Sequence, residues 1–201
     1  MQSIDDKIVC YIQKCGRGKM IFVSDFVRYG ESRAVNKALE RLVLSEIIIR
    51  VAKGIYFYPK IDKSFGLGVL YPSLETIAEA IAKRDKAKII PAGAYALNRL
   101  GLSEQVPMNL VFLTDGSPRN IKIGNGKGIK FIRTAPKNLA YKNRLVMLIV
   151  IALKQITEKK VTDEHIDHIK QLLQNESKES VMNDLALMPQ WIRTIIRNCY
   201  E

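Results

Sequence analysis

Cysteine, histidine and tryptophan are scarce in this chain, acid is outnumbered by base, and no apolar run is long. The three cysteines, Cys10, Cys15 and Cys199, include no C-x-x-C pair. An odd, scattered set excludes a disulfide scaffold or zinc knuckle, so buried free thiols in a reducing compartment are expected. His165 and His168 are the only histidines. A zinc clasp would need further ligands, and none is indicated, so a solvated helix surface is the plainer reading and no metal is expected. The G-x-S-x-G nucleophile motif is missing. Gly124-Asn-Gly-Lys-Gly128 has the wrong spacing for a dinucleotide fingerprint and closes on no Lys-Ser/Thr pair, so it reads as a hairpin turn. Glu75, Glu79, Asp85 and Asp115 lack the compact carboxylate arrangement of a nuclease and are accounted for by caps and turns. No catalytic residue or cofactor is assigned, and the chain does not read as an enzyme.

The greasiest segment is residues 145–153. As a helix it spans ~14 Å, against about 30 Å for a bilayer core, so a buried helix is expected and no membrane association. The opening Met-Gln-Ser-Ile-Asp-Asp has no basic stretch followed by an apolar one, so no secretory signal is seen and a cytoplasmic location is expected.

What the chain has in excess is positive charge. It carries 32 Lys and Arg against 20 Asp and Glu in 201 residues, a formal charge of +12. The bias is uneven: 11 against 6 over residues 1–60, 12 against 6 over 61–140, and 9 against 8 over 141–201. A field of this sign favours a polyanionic partner and says nothing about fold.

The first sixty residues suggest how such a partner is met. Ser3 can cap a helix to Cys15 with Ile4, Ile8, Ile12 and Cys15 on one side. Gly16–Lys19 is a basic link in which Arg17 or Lys19 could touch phosphate. Ile21–Val23 reads as a strand, Ser24 as the cap of a helix Asp25–Tyr29, and Gly30 as its stop. Ser32 reads as the cap of a second helix reaching Leu44, with Val35, Ala38, Leu39, Leu42 and Val43 forming an apolar face. The opposite face carries Arg33, Asn36, Lys37 and Arg41. Two β-rich runs then flank Ala52-Lys53-Gly54, with Arg50 in the first and Lys53 at the tip. Helix, strand, two helices and a basic hairpin in that order make a winged helix-turn-helix. Its second helix fits a B-DNA major groove, where Arg33 suits guanine, Asn36 suits adenine, and Lys37 and Arg41 suit guanine or phosphate. The bland alternative is a solvated helix face, because winged helices also dock proteins.

Residues 61–72 read as a linker, and 73–201 as a second domain. Ser73 caps a helix Leu74–Arg84, a short strand follows at 88–90, and Pro91 starts a helix ended by Gly101. Strands are expected at 109–114, 120–123 and 129–134. Helices follow at 142–156, 163–175, 177–185 and 189–198. The class is α+β: a winged helix at residues 1–60, then a domain with a small antiparallel sheet and C-terminal helices. Arg119, Lys122, Lys127, Lys130 and Arg133 form a second basic group on or near that sheet, with solvated charge as the equal alternative.

The hairpin Arg50-Val-Ala-Lys-Gly-Ile-Tyr-Phe-Tyr-Pro59, the stretch Pro91-Ala-Gly-Ala-Tyr-Ala-Leu-Asn-Arg-Leu-Gly-Leu102, Phe112-Leu-Thr-Asp-Gly-Ser-Pro-Arg-Asn-Ile121 and Ile129-Lys-Phe-Ile-Arg-Thr-Ala-Pro136 follow one another in an informative order. Together they resemble the AbiEi-like antitoxins of type IV toxin–antitoxin (abortive infection) systems, in a branch of unknown function typical of Bacteroidetes. The likeness covers roughly residues 1–140, and the final helices match only in general character. It implies a transcriptional repressor that binds double-stranded operator repeats and autoregulates its operon. It also implies a C-terminal domain that counters a nucleotidyltransferase-like toxin without a stable complex. A homodimer is expected if the operator is an inverted repeat. The alternatives are a winged-helix protein-interaction adaptor and, less favoured, a metal-dependent nuclease.

Overall fold

Ser3 and Asp6 form a reciprocal cap: the Ser3 hydroxyl accepts the Asp6 N–H at 3.1 Å and the Asp6 carboxylate accepts the Ser3 N–H at 3.2 Å. Two otherwise unpartnered donors are satisfied, and helix α1 runs Ile4–Cys15. This is a computed structural model that describes residues 3–62, 64 and 66–200. The chain divides into two compact units, Met1–Ala80 with Lys122–Gly126, and Ile81–Ile121 with Lys127–Glu201.

In the first unit α1 leads into strand β1 (Lys19–Phe22), a 3-10 helix (Val23–Tyr29) and helix α2 (Ser32–Leu44). Strands β2 (Ile49–Ala52) and β3 (Ile55–Tyr58) follow as a hairpin, and β3 lies between β1 and β2 in an antiparallel sheet. That is a winged helix-turn-helix. Ile8, Ile12, Ile21, Phe26, Leu39 and Ile48 are essentially inaccessible and knit the helices to the sheet.

The helix starts differ from expectation. Ser24 caps nothing: Asp25 is the residue that folds back, its carboxylate accepting the Phe22 N–H at 2.9 Å. Ser32 is already helical, and α2 begins after Glu31 with no side-chain cap. At the far end Glu46 adopts φ +57°, with the Glu46 N–H on Val43 O and the Ile47 N–H on Leu42 O. That is a Schellman closure with glutamate where glycine is usual. The expected linker also carries structure. Strands β4 (Lys60–Asp62) and β5 (Gly68–Leu70) pair as an antiparallel ribbon, with Ile61 directly opposite Val69.

Helix α3 (Leu74–Arg84) is capped by Ser73, whose hydroxyl accepts the Thr76 N–H at 3.1 Å. Strand β6 (Ile89–Ala92), helix α4 (Gly93–Arg99), strands β7 (Asn109–Thr114), β8 (Arg119–Ile123) and β9 (Lys127–Arg133), and helices α5 (Arg144–Ile156), α6 (Asp163–Leu173), α7 (Lys178–Asp184) and α8 (Gln190–Asn198) complete the chain. Pro91 does not open a helix. It lies in β6, an edge strand where a missing N–H is tolerated. The sheet order is β6-β7-β9-β8, and β7 pairs with β9 in parallel, so the sheet is mixed. The cause is local: the β8–β9 hairpin, turned at Asn125 and Gly126 with φ of 62° and 73°, docks by its second strand.

The greasy 145–153 run is the inner part of α5, and Val146, Ile149, Val150, Ala152 and Leu153 are at most 1% exposed. Its entry is held by a buried polar knot. Asp184, 2% exposed, accepts the N–H groups of Lys142 and Asn143 at 3.1 and 2.8 Å. The Asn143 side chain caps Val146 and donates to Glu176 at 2.6 Å. Among the described residues no helix is long and apolar enough to cross a membrane.

Candidate nucleic-acid interface

Helix α2 buries Val35, Ala38, Leu39 and Leu42, which turns positions 33, 36, 37 and 40 outward. Arg33, Asn36 and Lys37 are accordingly exposed, and none of them takes part in an ion pair among the described residues. Glu40 lies one turn further on the same side. A shallow depression lined by Glu40, Val43, Leu44, Arg50 and Tyr56 joins this face to the wing. Lys53 sits at the wing tip, next to Gly54 at φ +72°, and both Arg50 and Lys53 are exposed. A β-bulge between Arg50 and Ala52 sharpens the twist of the strand leading to that tip.

Two of the expected contacts are already engaged. Arg41 makes a two-pronged pair with Asp5 of α1, Nη2 to Oδ1 at 2.6 Å and Nε to Oδ2 at 2.8 Å. Arg41's hydrogen bonds hold the Asp5 carboxyl below its ordinary range, and Asp5 in turn raises Arg41. Arg41 therefore ties α1 to α2, and it could meet phosphate only by leaving Asp5. Arg17 is not on a loose link. Its guanidinium lies 4.8 Å from the Tyr58 ring centroid and Nη1 donates to Pro59 O at 3.0 Å. Lys19 is exposed on β1, opposite Tyr58.

The second basic group does not form one surface. Arg119 lies over Phe131 at 5.6 Å and pairs with Asp85, while its Nε is buried without a partner. Burial and the nearby Arg84 charge depress its pKa. Alternation along β9 sets Lys127 and Arg133 on the Phe131 side and Lys130 on the other. Lys122, Lys127, Lys130 and Arg133 are all exposed.

The remaining chemical candidates have structural work. His165 Nδ1 accepts the Thr162 N–H at 3.2 Å in a capping box, and His168 Nε2 donates to Leu100 O at 2.6 Å. Asp115 accepts the Lys88 N–H at 2.8 Å. Among the described residues no group of three or more His, Cys, Asp or Glu could hold a metal. Of the cysteines only Cys199 is buried. Cys10 is exposed and Cys15 half-buried, because position 10 falls on the outer face of α1. Hydrophobicity alone did not separate those positions, whereas helical phase does.

Fold and site together define a winged-helix protein with a cationic, solvent-facing second helix, followed by an α+β unit. The chain belongs to a family of unknown function, DUF6088, whose model matches residues 7–181. Among curated proteins none matches it. It is similar to the RV2827C protein from Mycobacterium tuberculosis, seen in a crystal structure, at 15% identity and a TM-score of 0.49 over 98% of this chain and 78% of that one.

Proposed function

We propose that this protein is a cytoplasmic, non-enzymatic DNA-binding repressor that serves as the antitoxin of a type IV toxin–antitoxin system. The observation that carries the DNA reading is the outward row Arg33, Asn36 and Lys37 on α2, bordered by a wing bearing Arg50 and Lys53. A helix of 13 residues with that row free can enter a major groove, with the wing on flanking phosphates. The excess of base over acid in the first sixty residues supplies the attraction. Antitoxicity rests on the resemblance of residues 1–140 to AbiEi-like antitoxins. In this reading the second unit counters a nucleotidyltransferase-like toxin without lasting association, and a homodimer matches an inverted-repeat operator.

Fluorescence anisotropy with DNA from upstream of the gene tests the first part. Tight, sequence-selective binding is expected, and equal affinity for a shuffled duplex defeats it. Co-expression with an adjacent nucleotidyltransferase-like gene tests the second: restored growth is expected, and unrelieved toxicity removes the antitoxin role.

A further inference from the structure

Among the described residues, seven of the eleven exposed large apolar side chains fall between residues 44 and 71. Isolated exposed hydrophobes are ordinary, but a concentration of them marks a binding surface. Four of them, Ile47, Ile61, Val69 and Tyr71, line one cavity. About 630 Å³ of space opens between the end of α2, the turn after it, strand β2 and the ribbon β4–β5. A volume of this order is that of a small-molecule site.

The ribbon's register explains the apolar wall. Ile61 and Val69 are direct cross-strand partners and so point to one side, and Tyr71 follows Val69 at the same parity. Ile47 and Ile49 also line the cavity. Ile47, Ile61 and Tyr71 remain 37%, 46% and 72% exposed, so the protein's own core does not use them.

The cavity is not only apolar. Arg17 and Arg50 line it, with Glu46 as its one carboxylate, which leaves an excess of one positive charge. Arg17 is preset by Tyr58 and Pro59 O, which occupy one face of its guanidinium and Nη1 and leave its other donors unbonded among the described residues. Arg50 has no ion-pair partner among the described residues. Nucleic acid does not call for an aliphatic floor, and neither does a bare phosphate. An apolar body bearing a single anionic head satisfies both features.

We propose that this cavity binds a small amphipathic organic anion, with its carboxylate or sulfonate head on Arg50 and Arg17 and its hydrocarbon or aromatic body on Ile47, Ile61, Val69 and Tyr71. The site is separate from the row Arg33, Asn36 and Lys37, none of which lines it, and it stands whether or not α2 reads DNA. It shares Arg50 with the wing, so an occupant competes for that guanidinium.

The test uses the full chain and two fluorescent probes, 8-anilinonaphthalene-1-sulfonate and its uncharged counterpart N-phenyl-1-naphthylamine. Saturable one-site binding of the sulfonate is expected. Arg50→Gln should weaken the sulfonate about tenfold, the size of one lost charge-assisted hydrogen bond, and leave the neutral probe unchanged. Ile61→Ser with Val69→Ser should weaken both probes, and Tyr71→Ser, at a highly exposed position, repeats that arm without threatening the fold. Val106→Ser with Met108→Ser, exposed apolar positions elsewhere in the chain, should alter neither. Sulfonate binding that ignores the ribbon substitutions overturns the site. An Arg50→Gln variant that binds both probes like the parent overturns the anionic head.

Discussion

Replacing Arg33 and Lys37 together by alanine should flatten the salt dependence of DNA binding as well as weaken it. Among the exposed cations of the first unit, the five assigned to contacts, Lys19, Arg33, Lys37, Arg50 and Lys53, form no ion pair among the described residues. If each neutralises one phosphate, the logarithm of affinity falls with that of salt with a slope of about −0.9 per contact, or roughly −4.5 in all. A fourfold rise in salt then weakens binding roughly 500-fold. The double variant keeps three contacts, a slope near −2.7, and loses only roughly 40-fold over the same rise. Should Arg33 grip a guanine edge, its loss also removes about 1–3 kcal/mol of discrimination at that base pair. Arg41→Ala is the internal control: its guanidinium is committed to Asp5, so its slope should stay nearer the parent's. Anisotropy titrations at four salt concentrations read all of this. A double variant with the parent's slope, or an Arg41→Ala variant that flattens it equally, refutes the assignment of the reading face.

Asp184→Ala strips the acceptor from two backbone donors in the buried knot at the start of α5. It should cost about 2–4 kcal/mol, lowering the thermal midpoint by roughly 10 °C in calorimetry, while Asp184→Asn, which keeps an oxygen acceptor, costs less. Burial, aided by the charge of Asp184, pushes the Tyr141 phenol up to about 12 from 10. The folded state holds that proton more tightly, so its stabilisation is complete below pH 10 and is lost between pH 10 and 12. Burial also raises Tyr11, Tyr56 and Tyr200, so absorbance at 295 nm should show several tyrosines titrating late, and Tyr141→Phe should remove one equivalent from the latest part of that titration. Glu46→Gly relieves a left-handed backbone worth about 1–2 kcal/mol and adds chain entropy of about 0.5–1 kcal/mol to the unfolded state, a net gain of about 0.5–1 kcal/mol by urea denaturation. A loss of stability there would show that the Glu46 side chain has a structural role.

Periodicity carried most of the fold. The 3.6-residue spacing of Val35, Ala38, Leu39 and Leu42 placed α2 and its outer face together, because burying one stripe exposes the other. The wing was legible because Lys53-Gly54 interrupts two β-rich runs. Long-range partners were not legible. Asp5 and Arg41 are 36 residues apart, and Arg17 and Pro59 are 42 apart, so their pairing follows from packing rather than local pattern. Pro91 misled because its meaning depends on whether its strand lies at an edge, a property of the whole sheet. The ribbon in 60–70 escaped notice because three-residue strands hold too few residues for alternation to show.

Since β9 lies between β7 and β8, the four-stranded sheet cannot close in chain order. On the ribosome β6 and β7 can pair once Thr114 has emerged, but β8 finds no neighbour until residues 127–133 arrive. Meanwhile the six-residue flank of β7, carrying Leu110 and Phe112, offers its open hydrogen-bonding groups to any passing strand. A nascent chain from which β7 has emerged and β9 has not therefore presents an unpaired strand flank, and the emergence of Lys127–Arg133 closes it.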